Sequence, residues 1–240
     1  MNKSALIITC EHGGNVVPPQ YEELFRGYEE HLAAHTGYDI GALDLANAIT
    51  DALSVQSFFA TTTRLLIELN RSLHHPKVFS EITQALPQHL KEEVIATYYL
   101  PYQTNIIEKI RELMQDKLDV IHISVHSFTP IFYGQERNAD IGLLYDSRRP
   151  AEKDFCARWK AVLKQQAPTM RVRMNYPYRG SADGFTTALR KIFLSNYIGM
   201  ELEVNHKLLI NPGALREQTT AAIIESLRTL LITDSSFTPS

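Results

Sequence analysis

Five stretches of the 240-residue sequence set polar side chains against apolar runs, and each holds residue types that can do chemistry. Cys10-Glu11-His12-Gly13-Gly14-Asn15 follows the apolar run Ala5–Thr9. Imidazole is the commonest protein metal ligand, so His12 reads as a metal ligand, a general base or a turn residue. The two glycines let the backbone approach a ligand, or simply allow a tight turn. Ser124-Val125-His126-Ser127 ends another apolar run. Strand periodicity puts His122, Ser124 and His126 on one face. His126, at the mouth, is the better ligand, and His122 reads as a hydrogen-bonded core histidine. Glu201-Leu202-Glu203 lies inside an apolar stretch. Carboxylates there are costly unless paired or metal-bound, so they read as a general base beside a metal, or as the wet face of an edge strand. Arg64, Glu68, Asn70 and Arg71 bracket a fourth apolar run. Arginine suits bidentate capture of a carboxylate, and Asn adds a hydrogen bond; a structural ion pair of Arg64 with Glu68 is the alternative. Last comes His35-Thr36-Gly37-Tyr38-Asp39. Asp39 precedes a helical pattern, so it reads as an N-cap or as a carboxylate aimed into a site.

Together these residues form the parts of a catalytic zinc site. Such a site uses three protein ligands and an open position for water. It also needs a carboxylate to carry a proton and a guanidinium to fix the substrate's own carboxylate.

The elements that would position them alternate. Ala5–Thr9, Gln56–Ala60, Leu65–Leu69, Val120–Val125, Ile141–Tyr145 and Tyr197–Val204 read as strands. Asp39–Leu53, Leu90–Met114 (as one or two helices, interrupted by Pro101), Ala151–Lys164 and Pro212–Ile232 read as helices. This alternation predicts an α/β domain whose sheet is covered on both faces, with ligands at the carboxyl ends of its strands.

Composition narrows the class. Hydrophobic residues make up 44% of the chain, enough for one domain over residues 1–240 with a frayed polar tail from about 233. Net charge is -3 with no basic run, which argues against nucleic acid. No apolar stretch approaches the roughly 18 residues of a membrane span, and none reads as a signal peptide. Two cysteines, Cys10 and Cys156, make no disulfide framework, so a reducing, cytoplasmic setting is expected.

Six ordered segments resemble the N-formylglutamate amidohydrolase family: CEHGGNVVP at 10–18, YDIGALDLA at 38–46, TRLLIELNRS at 63–72, SVHSFTP at 124–130, NYPYRG at 175–180 and MELEVNHKLL at 200–209. That family more distantly resembles the zinc carboxypeptidases and the aspartoacylase and succinylglutamate desuccinylase group. The resemblance implies a phosphorylase/hydrolase-like fold with a mixed, largely parallel sheet. It also implies one zinc ion held by His12 and His126, substrate binding by Arg64, Asn70 and Arg71, and Glu203 as general base. The distant relatives place a Glu three residues after the first His, but this sequence has Asn15 there. Neutral amides are poor zinc ligands, so the third ligand must come from elsewhere, and the resemblance, which retains an Asp in the 38–46 segment, implies Asp39. The expected activity is release of a formyl-like acyl group from a small acidic N-acyl amino acid. A zinc peptidase or amidase acting on a peptide or cell-wall fragment, and a non-catalytic module binding a small acid, remain the alternatives.

Overall fold

The structure, a computed structural model, describes residues 3–233. The chain runs β1 (Ser4–Cys10), α1 (Glu29–Ala33), α2 (Ala42–Leu53), β2 (Gln56–Phe59), α3 (Gln88–Val94), α4 (Leu100–Gln115), β3 (Asp119–Phe128), β4 (Ile131–Phe132), β5 (Gln135–Glu136), β6 (Ile141–Leu144), α5 (Pro150–Gln166), β7 (Val172–Met174), α6 (Phe185–Ile192), β8 (Tyr197–Asn205) and α7 (Ala214–Thr233). The main sheet has the order β2-β1-β3-β8-β6-β7. Its first four strands are parallel, β6 is antiparallel to β8, and β7 is parallel to β6. The predicted α/β class, with a mixed, largely parallel sheet and helices on both faces, is the one found.

Alternation along the strands sorts the two faces. Leu6, Ile8 and Cys10 of β1, Ile121, Ile123 and Val125 of β3, and Met200, Leu202 and Val204 of β8 point to a core shared with α2, α5 and α7. Helix α2 meets it with Ala42, Leu45, Ala46 and Ile49, a stripe at helical spacing. On the other face, Ala5, Ile7, Val120 and Tyr197 pack under α4 and α6. The apolar strand residues that pack against these helices lie in the strands' amino-terminal halves. Beyond them the same face turns polar, with Thr9 on β1, Glu11 just past its end, His122, Ser124 and His126 on β3, and Glu201 and Glu203 on β8. The register sets Ser124 beside Glu201 and His126 beside Glu203.

Four expectations need correction. Leu65–Leu69 is a buried turn rather than a strand. Its Leu66, Ile67 and Leu69 pack with Tyr21, Phe25 and Val94. Its backbone is satisfied by Val78 and by the Ser80 and Thr83 hydroxyls, so the apolar run signalled burial, not strand pairing. Strand β8 lies inside the sheet, which removes the edge-strand reading of Glu201 and Glu203. Helix α2 begins at Ala42, after Gly41 at φ 78°. A Cβ at Gly41 would sit 2.5 Å from Leu209 Cβ, so only glycine fits this turn. Asp39 therefore does not cap the helix. Finally, Pro101 does not break the long helix. A π turn at Ile95–Tyr99 joins α3 to α4, and this wider turn accommodates a residue with no N–H to return. The expected frayed tail lies, apart from Thr233, outside the described residues.

Candidate active site

All seven residues singled out from the sequence line one cavity of about 180 Å3 at the carboxyl ends of β1, β3 and β8: His12, Asp39, Arg64, Asn70, Arg71, His126 and Glu203. His35, Ser127, Tyr178, Arg179, Ala182, Asp183 and Glu201 complete its wall.

Two imidazoles converge on one carboxylate oxygen. Nδ1 of His126 lies 2.8 Å, and Nδ1 of His12 3.3 Å, from Asp39 Oδ2. The three side chains are buried, and their ligand atoms lie within 4.8 Å of one another. The far nitrogens are held from behind. His12 Nε2 bonds to Glu68 Oε1. A carboxylate can only accept, so Nε2 carries the hydrogen and Nδ1 faces Asp39. His126 Nε2 lies 2.8 Å from Ser124 Oγ, which donates to Glu11, and 3.2 Å from Glu11 itself. Carboxylates placed behind an imidazole in this way commonly orient histidines that bind metals. Two imidazoles and a carboxylate are donors that suit zinc, so the residues present fit a metal ion.

Electrostatics follow from the pairing. Burial alone would raise the Glu11 carboxyl, but hydrogen bonds from His126 and Ser124 bring it down to about 2. Asp39 and Glu68 are held below the usual range against burial, Asp39 by the two histidines and Glu68 by Arg64 and His12. His126 is raised well above its ordinary value, because Asp39 and Glu11 outweigh burial. Glu203 behaves oppositely: burial pushes it up to about 8. Its Oε2 is buried and bonds to nothing among the described residues. Glu201, by contrast, accepts a hydrogen bond from Thr186 Oγ1 at 3.1 Å.

The basic residues divide. Arg64 puts Nε and Nη2 on Glu68 and Nη1 on Asp39 Oδ1 at 3.2 Å. The ion pair with Glu68 weighed for it is present, and Arg64 also lines the cavity. Arg71 donates one nitrogen to the Asp183 carbonyl. Arg179 is exposed on the cavity wall and has no ion-pair partner among the described residues. Asn70 accepts from Phe185 N at 2.7 Å with Oδ1, and its Nδ2 lies 3.3 Å from His126 Nε2. His122 is a core histidine, bonded to Thr9 Oγ1 at 2.8 Å and Tyr197 Oη at 2.7 Å. Asn15 ties down Leu32 O and plays no part in the cavity.

Sequence reasoning missed Glu11, His35, Tyr178 and Arg179, and it saw Glu68 only as a partner for Arg64. Glu11 and Glu68 did leave a signal, as single acids inside apolar surroundings. Tyr178 and Arg179 fell within the matched NYPYRG segment, but nothing in its spacing assigns them a role.

The profile of the family described as N-formylglutamate amidohydrolase matches residues 4–210. Among solved structures, the chain is similar to gene product Atu2144 of Agrobacterium tumefaciens, at 21% identity and a TM-score of 0.81, covering 98% of this chain and 93% of that one. It is also similar to N-formylglutamate amidohydrolase of Ralstonia eutropha JMP134, at 17% identity and a TM-score of 0.70, covering 98% and 96%. At such identities the likeness establishes the shared fold. No curated protein matched the sequence. Among the described residues, no helix is long and apolar enough to cross a membrane. Because the profile spans most of the sequence, the chain belongs to the N-formylglutamate amidohydrolase family, a family of amide-hydrolysing enzymes.

Proposed function

We propose that the chain, acting as one catalytic domain, is a zinc-dependent amidohydrolase that removes a small, formyl-like acyl group from an acidic N-acyl amino acid such as N-formylglutamate. The observation that carries this reading is the meeting of the His12, Asp39 and His126 ligand atoms with the unpartnered Glu203 carboxylate in one small cavity. His12, Asp39 and His126 would hold the ion, which when bound supplies polarisation of the scissile carbonyl and activation of water. Glu203 takes the proton of the attacking water and hands it to the departing nitrogen. Burial places its pKa at about 8, a range in which one carboxyl both accepts and returns a proton near neutral pH. A cation beside it lowers that value. Glu201 is the weaker candidate because Thr186 already engages it.

The substrate's carboxylates fall to Asn70, Arg71 and Arg179. Arg64 acts by fixing Asp39 and Glu68, and through them the ligand set. Buried free thiols at Cys10 and Cys156 support a reducing, cytoplasmic compartment.

One observation favours the peptidase or amidase alternative. A groove of about 890 Å3, walled by Tyr28, Phe79 and Phe132, shares His35 and Arg64 with the site. The deciding experiment is metal analysis of the purified protein, followed by an amine-release screen over N-acyl amino acids and short peptides. The proposal expects one zinc-like ion per chain and fastest release from N-acyl acidic amino acids. Preference for peptides would favour the alternative. A chain that holds no metal and hydrolyses none of these substrates would be a binding module.

A further inference from the structure

One phenol on the cavity wall has a hydroxyl whose hydrogen no described residue accepts. Tyr178 lies in the loop after β7. Asn175 Oδ1 pins that loop at both ends, accepting from Tyr145 N at 3.1 Å and Gly180 N at 3.0 Å. The hydroxyl is therefore presented by a braced turn. Its oxygen accepts a hydrogen bond from Arg137 Nη2 at 3.0 Å. Among the described residues it donates to none.

Arg137 is itself unusual. It is 7% exposed and has no carboxylate partner among the described residues. Its guanidinium sits 4.3 Å from the Phe132 ring, 5.0 Å from Tyr178 and 5.8 Å from Phe128, and its other nitrogen reaches Thr129 Oγ1 at 3.3 Å. Stacked arginines gain from ring faces, but an arginine serving stability alone is normally paired when buried. This cation is instead directed at a phenol oxygen. A cation donating to that oxygen draws electron density from the O–H and makes it a stronger donor. Burial, and after it the charge of Glu203, raises the Tyr178 pKa. The group thus stays a neutral phenol, which can donate.

An amide under attack by water builds negative charge on its carbonyl oxygen. A preorganised donor in the wall of a small cavity stabilises that charge more than it stabilises the ground state. We propose that Tyr178 is a catalytic residue that donates its O–H to the scissile carbonyl oxygen as charge builds there, and that Arg137 is the positioning residue that aims and polarises it. This rests on the hydrolase reading above.

The experiment compares the zinc-loaded wild type with Tyr178→Phe, Arg137→Gln, Arg137→Lys and the double variant Tyr178→Phe/Arg137→Gln, using N-formylglutamate. Two further readouts are zinc content and affinity, by calorimetry, for glutamate and for a tetrahedral phosphonate isostere of the substrate. Tyr178→Phe is expected to lower kcat on the order of 10²-fold and weaken the phosphonate by a similar factor. KM, zinc content and glutamate affinity should stay within about twofold of wild type. Arg137→Gln should lose kcat in the wild-type background and lose little more in the Tyr178→Phe background. Arg137→Lys should recover part of the loss. An unchanged kcat in Tyr178→Phe, or a loss confined to KM that tracks glutamate affinity, would make Tyr178 part of the binding wall and overturn the proposal. Equal losses from Arg137→Gln in both backgrounds would overturn the role given to Arg137. A zinc-loaded wild type that releases glutamate from no N-acyl precursor overturns the hydrolase reading itself, a result separate from any ranking of variants.

Discussion

Among the described residues, two clusters of buried charge invite comparison, and one of them reads as a site. In the first, Glu152, from the opening turn of α5, is fully buried. Its Oε1 accepts from Arg190 Nε at 2.9 Å and pairs with Arg149 Nε at 3.1 Å, and its Oε2 accepts from Asp146 N at 2.9 Å. Arg190 also donates to Gly180 O, Gly199 O and Thr187 Oγ1. Both oxygens of Glu152 and all three nitrogens of the Arg190 guanidinium face a protein partner. In the second cluster, Asp39, His12 and His126 face one another across ligand-distance gaps, while Glu203 Oε2 and His35 Nδ1 stay buried without a bond. Burial of charge is common to both. What separates them is completion: the first closes on itself and fixes α5 and α6 to β8, and the second leaves donors and acceptors aimed at a cavity. A buried polar atom with no partner costs free energy, so its persistence beside converging ligands points to a function.

Substitution in the two clusters should therefore give opposite signatures. The largest effect is expected from Glu203→Gln. It should lower kcat by about 10²–10⁴-fold, with zinc content, KM and thermal stability little changed. Glu201→Gln should retain more activity. If Glu201→Gln were the more damaging of the two, the base would move to Glu201. Loss of zinc from Glu203→Gln would make Glu203 a ligand.

The mirror image is Glu152→Gln. It leaves two guanidiniums facing a neutral amide in the interior, and removing one partner of a buried pair costs about 3–5 kcal/mol. Denaturant unfolding should show that loss while the folded fraction keeps wild-type kcat and KM. A drop in kcat without a drop in stability would erase the distinction between the clusters.

Substrate grip should be milder. Arg71→Lys keeps the charge but loses the planar fork, and Arg179→Ala removes a cation with no ion-pair partner among the described residues. Each should raise KM roughly tenfold for a carboxylate-bearing substrate while kcat stays near wild type. Wild-type KM in both would show that substrate carboxylates bind elsewhere.

The smallest effect comes from a carboxylate near the surface with two cationic partners. Asp140 bonds to Arg171 and to Lys207. Burial opposes them, yet these bonds bring its pKa down to about 2 from an ordinary 3.8. A carboxyl depressed by folding contributes stability above its unfolded pKa and loses it as pH falls toward the folded value. Arg171 is partly exposed, so screening limits the contribution to about 1 kcal/mol. Asp140→Asn should lower stability by that amount at pH 6, with the difference shrinking between about pH 4 and pH 2. A difference that persists at pH 2 would show that something other than ionisation is lost.

Much of the frame was legible in the sequence because central parallel strands are buried on both faces and read as continuous apolar runs. β1, β3 and β8 all announced themselves this way. The same signal misled at Leu65–Leu69, where the run is buried in a turn whose hydrogen-bond partners at Val78, Ser80 and Thr83 come from tertiary packing. Helix α6 and the β4–β5 hairpin were missed because eight and two residues respectively hold too little periodicity. His12, His126 and Glu203 stood out as polar breaks in apolar segments. The supporting carboxylates showed as single acids, but their roles did not show, since Glu11 meets Ser124 113 positions away and Glu68 meets His12 56 positions away. Only the folded chain supplies those pairings.

The central claim is that His12, Asp39 and His126 form one metal site. The most direct test is metal content, by elemental analysis of the purified wild type and of His12→Ala, Asp39→Ala and His126→Ala after zinc loading and desalting. The account predicts about one ion per wild-type chain and loss of it from each variant, with all four proteins folded. A wild type that retains no ion, or histidine variants that retain a full complement, would contradict it.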